Sequence, residues 1–203
     1  MTPADTAVLQ AIALASVLAW ASGIRLYLVI FAAGLAARYG YLDLPAGLEI
    51  LSHTYVLAAA GLLLAVEFLA DKVPGLDSAW DAVHTFIRIP AGALLAAGAV
   101  GGTDLTALTV AAGLLGGTIT AGTHFTKAGG RAVINTSPEP VSNWVASFTE
   151  DAVVLGGVWL AVQHPVVFLV ALAIFLAIAT WFLVTLTRFV RARLARRAPA
   201  PAA

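Results

Sequence analysis

The sequence predicts an all-α fold: a polytopic transmembrane bundle of about six helices. Three observations lead there. First, 61% of the 203 residues are apolar and only 11% are charged, against roughly a quarter charged in an ordinary soluble domain. A water-soluble fold of this size leaves a large share of its surface exposed and cannot hide that much apolar area. Second, the apolar residues form continuous runs of about 20, the length needed to cross the hydrocarbon core. Third, these runs are rich in Ala and Leu and do not alternate, which suits helices and not the strands of a barrel.

The same composition narrows function. With 11 basic and 11 acidic residues the formal charge is zero, so there is no nucleic-acid footprint. Cysteine is absent, which removes disulfides, thiolate catalysis and thiolate metal sites. His53, His84, His124 and His164 are scattered without an HExxH pair, and no GxSxG elbow occurs. No metal, cofactor or hydrolytic enzyme is therefore expected. The start, Met1-Thr2-Pro3-Ala4-Asp5, lacks the basic n-region of a signal peptide, so the first apolar segment is expected to be retained.

Taken in order, the first segment runs from about Ala7 to Ala37 and is interrupted only by Arg25. The second covers Leu48 to Ala70, and the third follows the turn Pro74-Gly75 and reaches Val100. The fourth covers Leu105 to Thr123, the fifth Pro140 to Gln163 with Glu150 and Asp151, and the sixth Pro165 to Thr187. Residues 1–190 then make one transmembrane domain, and 191–203 a basic, disordered tail. Arg188, Arg191, Arg193, Arg196 and Arg197 place that tail in the cytoplasm by the positive-inside rule. Six spans bring the N-terminus to the same side, in the inner (plasma) membrane.

The halves 7–101 and 104–190 resemble two inverted repeats. Ser52, Thr54 and Gly61 recur as Ser147, Thr149 and Gly156, Ser22-Gly23 as Ala121-Gly122, and Trp80 with Val83 as Trp181 with Val184. Three helices per half would give the halves opposite orientation, as in many transporters.

Ionisable residues inside apolar segments are costly in lipid and so point to function or to a pairing partner. Arg25, just after Ser22-Gly23, fits either a discontinuous helix or a tilted helix holding an ion pair. Asn143, Ser147 and Glu150 stand at i, i+4 and i+7 on one helical face, with Asp151 at its edge. Two adjacent acids in low dielectric favour one retained proton, or they pair with Arg25 and Arg88. Asp77, Asp81, His84 and Arg88 form a second stripe, with Ser78 and Asp81 at capping spacing. That stripe lines an entry path, or else anchors the interface with His84 as a satisfied buried histidine. His124 to Asn143 is the most polar stretch; Lys127, Gly129-Gly130 and Arg131 there suit an anion-binding nest, a basic cytoplasmic loop, or a re-entrant segment. Glu67 and Asp71 read as interfacial charges flanking Lys72.

Three stretches carry a family resemblance. They are Ala21-Ser22-Gly23-Ile24-Arg25, the block from Glu67 to Leu94, and the block from Thr123 to Trp144. Together they resemble a bacterial integral-membrane family catalogued as a domain of unknown function. The resemblance covers most of the chain and implies a helical membrane protein; it brings no activity or catalytic residue.

The leading expectation is a small permease or translocator for an anionic solute or a phosphate-bearing lipid. Arg25, Arg88, Lys127 and Arg131 attract the anion, Glu150 and Asp151 couple protons, and Asn143 and His84 complete the set. It requires Arg25 and Glu150 to face one cavity. The alternatives are a non-transporting structural or accessory protein, whose Gly- and Ala-rich helices favour close packing and allow a homo-oligomer, and an intramembrane enzyme. The enzyme requires Glu150 or Asp151 within hydrogen-bond reach of His84 or His124. The bilayer is the one partner common to all three.

Overall fold

The computed structural model describes residues 2–73, 75–101, 106–136 and 140–195. They form helices α1 (Pro3–Arg38), a 3-10 segment (Ala46–Ser52), α2 (Thr54–Ala70), α3 (Leu76–Val100), α4 (Thr106–Ile134), α5 (Pro140–Gln163) and α6 (Pro165–Ala195). α1 begins with a capping box: Thr2 Oγ1 accepts from the Asp5 amide at 3.2 Å, and Asp5 accepts from the Thr2 amide at 2.8 Å. Gly75 takes φ 85° at the α2–α3 turn. Asp77, not Ser78, then closes the start of α3, accepting from the Gly75 and Ser78 amides at 3.0 and 2.6 Å. Asp81, expected to share in that cap, is buried and faces the interior.

The solvent preference of the exterior is inverted relative to a soluble protein. Phe86, Leu94, Leu114 and Trp181 are exposed, while Arg25, Arg88 and Arg131 are among the largest fully buried side chains. Helices α1, α3, α4, α5 and α6 are long and apolar enough to cross a membrane, and the 3-10 segment with α2 forms a further bent pair, turned by 67°. This is a multi-pass helical membrane protein.

α1 departs most from expectation. Its backbone leaves the helical region at Arg25, with φ −143° and ψ 74°. Before the break, Ile12 shares a groove with Leu108 and Ala112, and Gly23 abuts Thr120 and His124. The first arm thus runs beside α4 in the same direction. After the break, Phe31 packs on Gly61, and Gly34 on Leu51 and Leu57. The second arm therefore runs against α2. Tyr41, Leu42 and Pro45 line one cleft with Ala7, Gln10 and Leu14, so the chain doubles back at Arg25 and both ends of α1 lie at one end of the bundle.

Two sequence expectations change as a result. α6 starts beside Ala4 and Val8, where Val166 joins their cleft, and carries Phe182 and Leu186 past Gly129 near the end of α4. The described chain ends therefore lie at opposite ends of the bundle, whereas six straight spans would bring them to the same end; the difference comes from the reversal of α1 at Arg25. The inverted repeat fares no better over its first element: the first arm of α1 and α4, its counterpart, point the same way. An inverted repeat demands the opposite.

α4 also runs eleven residues past the Thr123 expected from hydropathy, to Ile134. Its last turns are polar because Thr123, His124, Lys127 and Arg131 face the interior, where partners satisfy them. Gly129-Gly130 is consequently helix, its amides committed to the helix and not to an anion nest. The segment 124–134 is neither loop nor re-entrant; Ser137, Pro138 and Glu139 lie outside the described residues. α6 likewise extends to Ala195, so the first five residues of the expected disordered tail are helical, and Arg196 to Ala203 lie outside the described residues.

Close approach of α1, α3 and α4 is set by glycines. A Cβ on Gly23 would stand 2.7 Å from the Thr120 carbonyl oxygen, and one on Gly92 2.0 Å from Thr120 Oγ1. Small residues let backbones meet where lipid offers no hydrophobic drive between helices.

Candidate functional site

The break in α1 matters because of what surrounds it. Asp71 at the end of α2, Lys127 and Arg131 on the last turns of α4, and Ser147, Glu150 and Asp151 on the first half of α5 all converge on Arg25. Each was placed there by a helical period: Lys127 and Arg131 are four apart, as are Asn143 and Ser147, so each pair shares one face.

Arg25 is fully buried, and both terminal nitrogens of its guanidinium are hydrogen-bonded. Nη1 donates to Asp71 Oδ2, Nη2 to Ser147 Oγ at 2.7 Å and to the Ser147 carbonyl at 3.0 Å. Its Nε lies 2.8 Å from Asp151 Oδ1 and 3.5 Å from Glu150 Oε2. Lys127 Nζ donates to the Ile24 carbonyl at 3.0 Å, one of the backbone acceptors freed where the helix breaks. The same ammonium stands 3.3 Å from Asp71 Oδ2, 3.4 Å from Glu150 Oε2 and 3.6 Å from Asp81 Oδ1.

Arg131 grips Glu150 with two parallel bonds, Nε to Oε1 at 2.9 Å and Nη2 to Oε2 at 3.0 Å. Its Nη1 reaches Asn143 Oδ1 at 3.0 Å and the Asn143 and Asp71 carbonyls at 3.2 Å. Asn143 passes the network to Asn135 at 2.9 Å, and Asn135 donates to both Asp77 oxygens at 2.9 Å. Asp71, beyond the end of α2, shows how the cations decide the balance. Burial alone would raise its carboxyl, but Lys127, Arg25 and Arg131 outweigh burial and hold it below the ordinary carboxylate range.

A second group adjoins the first. Arg88 donates to Glu67 through Nη2 and to Asp81 Oδ1 through Nη1 at 2.9 Å. His124 links Arg88 to Thr85, and His84 links the Trp80 carbonyl to the Tyr27 hydroxyl at 3.1 Å. Lys72 completes the polar end beneath Phe68, with Phe148 and Trp144 at 4.9 and 5.4 Å from its ammonium.

Seven of the eight predicted residues therefore enter one contiguous network, while His84 lies beside it, bonded to the Trp80 carbonyl and the Tyr27 hydroxyl. Arg88, however, pairs with Glu67 and Asp81 rather than with Glu150 or Asp151. Neither histidine bonds to Glu150 or Asp151, so the acid–histidine pairing an enzyme required is not formed among the described residues. Glu67 and Asp71 were read as interfacial charges, yet both are fully buried and central. Hydropathy sets them at the end of an apolar run; the fold of α1 brings Arg25 to Asp71, and the return of α3 after the Gly75 turn brings Arg88 to Glu67. Their i, i+4 spacing was the one available signal that they share a face.

Glu150 and Asp151 are the network's partly open acids, with side chains 17% and 23% exposed. Glu150 opens on a cleft of about 200 Å³ between α4, α5 and α6, where Lys127 and Arg131 meet Ile24, Ile134 and Phe175. Arg25 lies behind Glu150, 3.5 Å from it, and does not line the cleft, so the expectation that both face one cavity is not met. At the mouth of the cleft Lys127 and Arg131 are thus both engaged by a protein carboxylate.

No curated protein and no solved structure matches the chain. A family model described as Domain of unknown function (DUF4126) matches residues 12–185. That span contains every residue of the network from Arg25 to Asp151, and the chain belongs to the DUF4126 family.

Proposed function

We propose that this protein is a small proton-coupled membrane carrier for an anionic group, phosphate or carboxylate, borne by a small solute or a lipid headgroup. The observation that carries the reading is the Glu150 carboxylate held by Arg131 and Lys127 at the mouth of a cleft. An incoming phosphate or carboxylate has the oxygens to replace it, because a guanidinium fork recognises either group by two parallel bonds. The apolar remainder of the cleft, Ile24, Ile134 and Phe175, accommodates the hydrocarbon of an amphiphile.

Exchange at Arg131 has a mechanical consequence. Lys127 and Glu150 both touch the Arg25 break, so releasing Glu150 loosens the link between α5 and the elbow of α1. A second cleft of about 400 Å³ lies at the other end, lined by Ala7, Gln10, Tyr41 and Asp43. Trp20, Val154, Phe168 and Leu172, all buried, fill the space between. Alternating access in such proteins commonly proceeds by rocking about a discontinuous helix. The arginines at 188–193 mark the end carrying the network as cytoplasmic.

A purely structural role also accounts for a neutralised network. Glu150 distinguishes the two: a structural pair gains nothing from partial exposure beside a cleft. Thermal protection of the solubilised protein by inorganic phosphate, citrate or lysophosphatidic acid tests the site. The carrier reading expects at least one to raise the melting temperature, with the effect lost in Arg131→Ala. Equal melting with and without all three contradicts it. Protection by phosphate or citrate identifies a solute, and protection by the lysolipid alone a headgroup.

A further inference from the structure

The group around Arg88 is out of electrical balance. Two carboxylates, Glu67 and Asp81, share its single guanidinium. His124 supplies no second positive charge, by hydrogen-bond logic alone. Arginine only donates, so His124 Nδ1, 3.3 Å from Arg88 Nη1, accepts. Nε2 then bears the hydrogen and donates to Thr85 Oγ1 at 2.7 Å, whose own proton goes to the Asp81 carbonyl at 3.0 Å. The imidazole is neutral. Lys127, the next cation, stands 3.6 Å from Asp81 but closer to both Asp71 and Glu150.

The imbalance holds for the whole network. Six acids meet there, Glu67, Asp71, Asp77, Asp81, Glu150 and Asp151, against five cations, Arg25, Lys72, Arg88, Lys127 and Arg131. Four carboxylate oxygens of the network, Glu67 Oε2, Asp71 Oδ1, Asp81 Oδ2 and Asp151 Oδ1, have no hydrogen-bond partner among the described residues. Of their owners, Glu67 and Asp81 are the two that share Arg88, and they are 0% and 2% exposed. An uncompensated buried charge costs several kcal/mol. Among the described residues no three potential ligands gather closely enough to hold a metal ion. A proton removes the excess charge and turns an orphaned oxygen into a hydroxyl.

We propose that Glu67, Arg88 and Asp81 form a proton-binding site, with one proton resident on the carboxylate pair at neutral pH. Two carboxylates on one guanidinium leave a negative charge uncompensated, and a proton on either of them removes it. The groups facing the pair are Tyr27 and Arg25 from α1, Asp71 from the end of α2, His84 from α3, and His124 and Lys127 from α4. Lys127 connects this site to the cleft, since its ammonium touches Asp81 on one side and Glu150 on the other. An anion that draws Lys127 toward the cleft weakens the hold on Asp81 and strengthens proton retention; departure of the anion reverses it. This coupling rests on the carrier reading, whereas occupancy by the proton does not.

Infrared spectroscopy of the full chain in an ester-free detergent tests occupancy directly. The expected result is a protonated-carboxyl C=O band at neutral pH that shifts in heavy water. It disappears in Glu67→Gln or Asp81→Asn and persists in Glu150→Gln. Because the amide mimics a neutral acid, the variant at the protonated position folds as the wild type does. The proposal is overturned if the wild type shows no such band, if the band survives both substitutions, or if both variants fail to fold. None of these outcomes depends on transport, so the carrier reading can fail while this one stands.

Discussion

Arg131 and Glu150, nineteen residues apart on α4 and α5, are joined by two parallel hydrogen bonds of 2.9 and 3.0 Å. Arg131 is 1% exposed, so removing its charge leaves the carboxylate with Lys127 and a distant Arg25 contact. Breaking a buried pair costs about 3–5 kcal/mol, much of it the penalty on the abandoned partner. Arg131→Ala should be destabilised by about that amount, and adding Glu150→Gln should recover part of the loss. A double-mutant cycle of unfolding in detergent measures the coupling; strictly additive losses would argue against the pairing.

The reversal at Arg25 predicts an unusual topology. Because the chain has no native cysteine, single substitutions at Ala4, Tyr41 and Ala192, all exposed, report sidedness without background. Ala4→Cys and Tyr41→Cys should react with an impermeant thiol reagent from one side of the membrane, and Ala192→Cys from the other. A first helix that crosses the membrane would instead separate positions 4 and 41.

Gly23 lies against α4 with no room to spare. An added Cβ would meet the Thr120 carbonyl at 2.7 Å and the His124 amide nitrogen at 2.9 Å, both backbone and unable to swing away. Gly23→Ala should therefore destabilise by about 1–3 kcal/mol, the usual range for overpacking. Gly122→Ala, where nothing lies within 4 Å, should leave the melting temperature unchanged.

Asp71 gives the protein a pH dependence of known sign. Its folded-state carboxyl sits below the ordinary value because Lys127, Arg25 and Arg131 outweigh burial. Its contribution to stability is thus complete above the ordinary carboxylate range, roughly pH 4, and is lost as pH falls through the folded value. Thermal unfolding followed between neutral and strongly acidic pH should show this loss, and Asp71→Asn should flatten the acid limb while lowering stability at neutral pH.

The extent to which the sequence foretold the site depends on which physical signal each residue carries. Membrane residence follows from composition, and the face of Asn143, Ser147 and Glu150 from helical spacing; both are local properties. Arg25 is visible as a charge within an apolar run, and Ser22-Gly23 just before it fits a broken helix as well as a tilted one holding an ion pair; the structure shows both the break and the ion pair. The direction of the chain beyond it is not visible, since a single residue's φ and ψ decide whether α1 crosses or returns. That choice governs Asp71, which looks interfacial until the elbow of α1 meets it, while Glu67 looks interfacial until Arg88 of α3 returns to it. The tail of α4 looks like a loop because Lys127 and Arg131 lower its hydropathy, although their partners make those charges interior.

The most direct test of the central claim is anion uptake into proteoliposomes under an imposed proton gradient, using labelled phosphate, labelled citrate and a fluorescent phospholipid. The account predicts that one of them moves with the wild type. Arg131→Ala should reduce that flux at least about tenfold, the loss of roughly one charge-assisted bond. Glu150→Gln should bind the anion yet lose dependence on the gradient. Flux that is absent for all three probes, or identical in wild type and both variants, would contradict it.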